Sequence, residues 1–127
     1  QSAEKRTLLS NLALPLMVVF LFSVFTCPFP LASAPIEPDG RTDTQVDRYG
    51  DATDVTTDTT RGDTAYNSFT KFNVNKGHTA NLYLPDATNN LLNLVHDEQT
   101  RIDGLLNAYK NGRIGGNVFF MNPHGIV

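Results

Sequence analysis

Arg113-Ile114-Gly115-Gly116-Asn117-Val118-Phe119-Phe120-Met121-Asn122-Pro123-His124-Gly125-Ile126 is the stretch whose reading decides the fold. It reads as a strand running into a fixed turn. Asn122-Pro123-His124-Gly125 places Asn first, Pro second and Gly fourth, the residue order a type I turn prefers. Pro123 presets its own φ, and the Asn122 side chain can bond the backbone two residues on. Apolar Phe119, Phe120 and Met121 precede the turn and Ile126 and Val127 follow it, so it is pinned between segments that favour burial.

Upstream of this stretch, from Tyr66, the hydropathy period is two. Phe72-Asn73-Val74-Asn75 alternates and is turned by Lys76-Gly77. Ala80-Asn81-Leu82-Tyr83-Leu84 alternates and stops at Pro85-Asp86. Leu91-Leu92-Asn93-Leu94-Val95 is a third run, ended by His96-Asp97-Glu98. Arg101-Ile102-Asp103 is a fourth, and Gly104 bends it into Leu105-Leu106-Asn107-Ala108-Tyr109. Asn111-Gly112 is a strong hairpin signal, because both central positions of a type I′ turn need positive φ. Residues 114–121 read as the last long strand. No window carries a helical stripe, so the class is all-β. Periodicity leaves a sandwich and a β-helix both open. Asn recurs beside the turns, as at the corners of parallel β-helices, but Asn is also a good turn residue.

The chain has 127 residues and a net charge of −3. That balance, without a basic stripe interleaved with aromatics, argues against a nucleic-acid binder. The adjacent basic pair Lys5-Arg6 opens an uncharged stretch that is densest in apolar residues over 12–25. Pro28 and Pro30 end it, and Ala32-Ser33-Ala34 follows. A basic start, an apolar middle and an Ala-x-Ala site make residues 1–34 a signal peptide cut after Ala34, read by the general secretory machinery. A membrane anchor fits less well, because two prolines fall where the last turns of a span would lie. Cys27 is the single cysteine, and Phe25-Thr26 before it does not suit a lipoprotein site. The mature chain then has no cysteine and owes nothing to disulfides. That suits a passenger that crosses a second membrane unfolded, and equally any cysteine-free secreted protein.

Residues 35–64 are rich in Asp, Thr, Gly and Pro and poor in apolar side chains. Composition assigns them to a solvated, disordered acidic linker, so deleting residues 39–58 is expected to be tolerated. Asp51, Asp54 and Asp58 lack the ligand spacing and closing Glu of a calcium loop. Arg61-Gly62-Asp63 is the tripeptide that integrins recognise, but in a stretch so rich in Asp and Gly chance is the better account. The foldable part is thus residues 65–127, small for a self-sufficient core. The missing initiator Met and the strand restarting at Ile126-Val127 are expected of a piece of a longer protein, truncated at its C-terminus.

The foldable part resembles the N-terminal secretion domain of two-partner-secreted exoproteins, the filamentous haemagglutinin family. The matching residues are Phe69, Phe72, Val74 and Gly77, then Ala80 and Leu82, then Leu91-Leu92-Asn93-Leu94-Val95, then Ile102 and Gly104. Gly112 and the run from Ile114 to Ile126 complete the match. The Ile-Gly-Gly-Asn-Val-Phe-Phe run looks most like the leukotoxin-type filamentous adhesin branch. Where the family has Asn-Pro-Asn-Gly-Ile, this chain carries His124 at the third position. His is tolerated there, so the turn is expected to survive.

The resemblance implies the capped first coils of a right-handed parallel β-helix. It implies an export signal rather than an effector, passing through the periplasm of a Gram-negative-type bacterium to the cell surface or medium. The implied partner is an outer-membrane β-barrel transporter with POTRA domains. The implied recognition and turn residues are Gly115, Gly116, Asn117, Asn122, Pro123, His124, Gly125 and Ile126. A C-terminal region of the longer protein would carry the adhesive activity towards the host surface. Two alternatives stand beside this: a small secreted β-domain binding a host glycan or receptor directly through Asn, Tyr83 or Tyr109, and a fragment of a β-helix polysaccharide-active enzyme. The enzyme reading lacks a site in the sequence. His78, His96 and His124 are far apart, no serine sits at a nucleophile elbow, and His96-Asp97-Glu98 reads as a solvated turn. No cofactor or metal is expected.

Overall fold

Residues 34–127 are described in a computed structural model of the chain. Of the expected signal peptide only Ala34 falls among them; Lys5-Arg6, the apolar stretch, Cys27 and Ala32 lie outside the described residues. The described strands are β1 (Ile36–Pro38), β2 (Thr44–Tyr49), β3 (Ala52–Thr57), β4 (Thr60–Arg61), β5 (Thr64–Phe72), β6 (Thr79–Leu84), β7 (Asn90–Val95), β8 (Leu105–Lys110), β9 (Arg113–Ile114) and β10 (Asn117–Met121). The class is all-β, as the period-two pattern predicts.

The strands alternate between two sheets. The first has the order β1-β5-β7-β10, with β4 also on β5; the second has the order β2-β3-β6-β8-β9. Within the first, β5, β7 and β10 are parallel. Within the second, β3, β6 and β8 are parallel. A third, narrow side is made by parallel bridges Val74–Ile102 and Thr100–Ile126. Thr64 lies beside Asn90, and Asn90 beside Asn117. Val55 lies beside Leu82, and Leu82 beside Ala108. Contacts between neighbouring turns of the coil link residues 26 or 27 apart. Such a path, visiting each sheet once per turn, is a β-helix-like coil and excludes a sandwich of antiparallel sheets.

Antiparallel pieces close the start of the coil: β1 on β5, β4 on β5 and β2 on β3. This corrects the linker reading of residues 35–64. The segment is folded, with Ile36 and Val55 in the core. Composition failed because these strands do not build a core of their own. Thr-rich strands suit a pleated surface, and they gain stability by covering strand edges that would otherwise be unpaired. Deleting residues 39–58 would remove β2 and β3 and uncover β6, so the expected tolerance does not follow.

Inward-facing Ala80, Leu82, Leu84, Leu91 and Val95 alternate with outward residues, as their strands require. In β5 both Phe69 and Phe72 face inward, although three residues apart. The register explains this: Glu37 faces Lys71 while Pro38 faces Phe69, so Thr70 is an extra, bulged residue. A bulge resets the alternation, and Pro38, lacking an N–H, sits beside it without an orphaned donor. Phe72 meets Phe69 and Phe120 edge to face, with centroids 5.1 and 5.0 Å apart.

The last long strand expected over 114–121 is interrupted. Asn111 and Gly112 take positive φ of 53° and 75°, as their turn requires. Beyond them β9 pairs back on β8, and Gly115-Gly116 carries the chain to the first sheet before β10 begins. The sequence pattern hides this break because Ile114, Val118 and Phe120 stand even numbers of residues apart, as in one continuous strand.

Candidate functional site

The Asn122–Gly125 turn forms as its residues demand. The Gly125 N–H donates to the Asn122 carbonyl at 3.1 Å, closing the turn. The His124 N–H donates to Asn122 Oδ1 at 2.8 Å. Asn122 Nδ2 donates to the Glu98 carbonyl at 2.7 Å and lies 2.8 Å from Thr100 Oγ1. The third-position departure has a contact of its own, since His124 Nε2 lies 2.9 Å from the His96 carbonyl oxygen. Asn122 is half-buried, whereas Pro123, His124 and Ile126 are exposed. The turn is therefore a rigid projection clipped to the preceding coil at residues 96–100.

The other sequence-predicted site residues are elsewhere. Gly115 and Gly116 precede β10, and Asn117 opens it. Asn117 Nδ2 donates to Asn90 Oδ1 at 3.0 Å. Strand β10 separates this group from Asn122–Ile126, so the eight residues flank one strand and do not converge.

The recurring Asn of a β-helix is expected at its corners; the structure puts the amide ladders within the strands instead. Asn67 and Asn93 point into the core and are fully buried. Thr44 Oγ1 donates to Asn67 Oδ1 at 2.8 Å, Asn67 Nδ2 to Asn93 Oδ1 at 3.0 Å, and Asn93 Nδ2 to the Phe119 carbonyl at 3.2 Å. On the second sheet Asn107 Nδ2 donates to Asn81 Oδ1 at 3.2 Å, and Asn81 Nδ2 to Asp54 Oδ1 at 3.0 Å. No buried side-chain polar atom among the described residues lacks a partner. The signal was present as an internal repeat: Asn67 to Asn93, Asn81 to Asn107 and Asn90 to Asn117 recur at the coil period.

Sequence reading missed a polar cluster at the exit end of the first sheet. Ser68 Oγ donates to Asp39 Oδ2 at 2.6 Å, and His96 Nε2 lies 3.1 Å from Ser68 Oγ and 3.7 Å from Asp39 Oδ2. Arg41 Nη1 lies 3.2 Å from His96 Nε2, and the Arg41 N–H donates to Asp39 Oδ1 at 2.9 Å. The residue types are those of a hydrolase triad, but the wiring is not. A triad carboxylate orients the imidazole through Nδ1 while Nε2 takes the serine proton. Here the carboxylate takes the Ser68 hydrogen itself, and what lies by His96 Nδ1 is the Arg41 guanidinium rather than a carboxylate, with Nη1 3.5 Å from Nδ1 and 3.2 Å from Nε2. Ser68 is also buried. The cluster is a latch that holds the β1–β2 connection against β5 and β7.

Burial alone would raise the Asp39 carboxyl. The hydrogen bonds from Ser68 and the Arg41 backbone, with the charges of Arg41 and His96, outweigh it and hold the group below its usual 3.8. A depressed carboxyl contributes stability above its unfolded pKa and loses it as pH falls through the folded value. The stability gap between the wild type and Asp39→Asn is therefore expected to be widest at neutral pH and to shrink below about pH 4. Urea midpoints at pH 7, 5 and 3 check this, and a constant gap removes the latch role.

Tyr83 and Tyr109 stack at 5.2 Å with planes 18° apart. Burial, then the neighbouring Asp54 and Tyr109, push the Tyr83 phenol up, so it stays protonated and bonds Asp54. The facing ring surfaces are thus used within the sheet.

No curated protein and no solved structure matches this chain. A family model does: the TPS secretion domain matches residues 34–127, including the folded segment 35–64. The chain belongs to the TPS secretion domain family, and residues 34–127 serve as a secretion signal of a two-partner secretion exoprotein.

Proposed function

We propose that this domain is the export signal of a large filamentous adhesin of the haemagglutinin type, recognised in the periplasm by the POTRA domains of its outer-membrane transporter. Its destination is the cell surface or the medium. The observation that carries this reading is the Asn122–Gly125 turn, an exposed projection held rigid by Asn122 bonds to Glu98 and Thr100. A recognition element presented in one conformation avoids ordering costs on binding.

The coil also suits stepwise growth outside the cell. Parallel strands of one sheet joined by a crossover are nearly always right-handed, which supports a right-handed β-helix. Phe119, Met121, Ile126 and Val127 are exposed on the last described turn of the coil. A following coil stacking there would cover apolar surface and pair the β10 edge, so folding outside would help draw the chain through.

Asn122→Ala and Pro123→Ala are each expected to reduce the exported fraction about tenfold, with synthesis intact. Loss of the Asn122 bonds, or of the Pro123 φ constraint, costs about 1–2 kcal/mol of turn order. Immunoblots of medium and cells expressing the cognate transporter provide the measurement. Unaltered export of both variants would sink the role assigned to the turn.

A further inference from the structure

We infer that the Arg61-Gly62-Asp63 tip of the β4–β5 hairpin is a receptor-binding site, fitted to an adhesion receptor of the integrin type. Such a receptor offers carboxylates to a guanidinium and a bound divalent cation to a carboxylate. In a disordered linker the tripeptide would carry no weight. The structure instead places it at the two-residue turn of a hairpin.

Thr60 pairs with Ala65 and Arg61 with Thr64 in antiparallel register, leaving Gly62 and Asp63 as the turn. Gly62 has a φ of +61°, whereas Asp63 is not among the positive-φ residues. Positive φ at the first central position alone, filled by Gly, is the type II′ pattern that matches strand twist. The base of the hairpin is fixed, since Ala65 is fully buried and the Tyr66 N–H donates to the Thr59 carbonyl at 2.9 Å. The turn itself is tied down through backbone: the Asp63 carbonyl accepts the N–H groups of Asn89 at 2.8 Å and Asn90 at 3.2 Å.

The side chains are left for other use. Arg61, Gly62 and Asp63 are all exposed, and a Cβ added to Gly62 would meet nothing within 4 Å. The Asp63 carboxylate has one long contact, from Thr64 Oγ1 to Oδ1 at 3.4 Å. The hairpin thus presents a cation and an anion on either side of an unobstructed glycine, with their backbone already ordered. Arg supplies a planar fork for carboxylates, and a carboxylate oxygen is the ligand a hard divalent cation takes. Pre-ordering removes the entropy cost that a flexible copy of the tripeptide would meet on binding.

The tip lies at the entry end of the parallel strands of the first sheet, beside Asn89 and Asn90. The export turn lies beyond their exit end, a strand length of about 15 Å away. The two surfaces are separate, so export and adhesion need not compete. The inference rests on the export reading in that the hairpin must reach the outside of the cell.

The test measures binding of the full chain to the immobilised ectodomain of an RGD-binding integrin by surface plasmon resonance in buffer containing Mg²⁺ and Mn²⁺. The wild type is expected to bind saturably and to lose binding in EDTA. Asp63→Glu, which keeps the charge but displaces the carboxylate, is expected to weaken binding by about thirtyfold or more, the size of a hot-spot residue. Its urea midpoint should match the wild type, because the structural bonds at this position come from the backbone. Absence of saturable wild-type binding, or binding that Asp63→Glu leaves unchanged, overturns the inference. No transporter takes part in this assay, so its failure is distinct from a failure of the export reading, which the secretion of the Asn122 and Pro123 variants reports.

Discussion

Asn93→Ala is expected to lower the unfolding free energy by about 3 kcal/mol. Asn93 is fully buried and stands in the middle of the core ladder. It accepts from Asn67 Nδ2 at 3.0 Å and donates to the Phe119 carbonyl at 3.2 Å. Truncation leaves the Asn67 amide without that acceptor in a site closed to water, and also opens a small cavity. An unsatisfied buried donor costs about 1–3 kcal/mol, more than the net worth of the bond it made. Asn93→Asp separates the two roles. The carboxylate can still accept from Asn67 but cannot donate to the Phe119 carbonyl, and it places a charge in the core. Its folded pKa is then raised above the unfolded value near 3.9. Such a group is least costly when both states are protonated, so this variant is expected to gain stability as pH falls towards about 4, the reverse of the Asp39 effect. Urea titrations of the three proteins at pH 7 and pH 4 decide it. Equal midpoints for wild type and Asn93→Ala would show that the ladder does not stabilise the coil.

Gly104→Ala is expected to be at least as damaging, at about 3 kcal/mol or more. A Cβ at Gly104 would overlap the carbonyl oxygens of His78 and Asn75 and approach the Val74 side chain to 2.9 Å. Two of these three neighbours are backbone. They belong to the turn that carries β5 through Val74 to β6, and they cannot rotate aside as a side chain would. The Gly104 N–H also donates to the Val74 carbonyl at 3.1 Å, stitching one coil to the next on the narrow side. Relief therefore requires moving the turn or separating the coils there. For a domain of this size the expected fall in melting temperature is roughly 12–24 °C. Gly77→Ala is the contrast: a Cβ there meets nothing within 4 Å, so only its positive φ of 82° resists substitution. A thermal melt of Gly104→Ala within a few degrees of wild type would refute the close approach.

How much was legible in the sequence depends on where each residue obtains its partners. The period-two runs of β6 and β7, the Asn111-Gly112 turn and the Asn122-Pro123-His124-Gly125 turn were all readable. Each is fixed by local sterics, by alternation across a pleat or by contacts within four residues. Residues 35–64 were not readable as structure. Ile36 and Val55 are buried in the core and Val46 packs against it; the remaining stabilisation comes from edges of β5 and β6 that local composition does not reveal. The same holds for Asn67 and Asn93. A polar residue within an apolar run reads as outward-facing until its partner one coil away is in place.

Alone, then, the sequence determined the strand class, the two turns and the residues that mark the family. Those depend on backbone preferences and hydropathy period, which a chain carries residue by residue. The tertiary structure alone decided the coil register, the inward amide ladder, the latch at Asp39, Ser68 and His96, and the hairpin that presents Arg61, Gly62 and Asp63. Each of these joins residues some 26 or more positions apart, or rests on such a junction, and only the stacking of one coil on the next brings them within hydrogen-bonding distance.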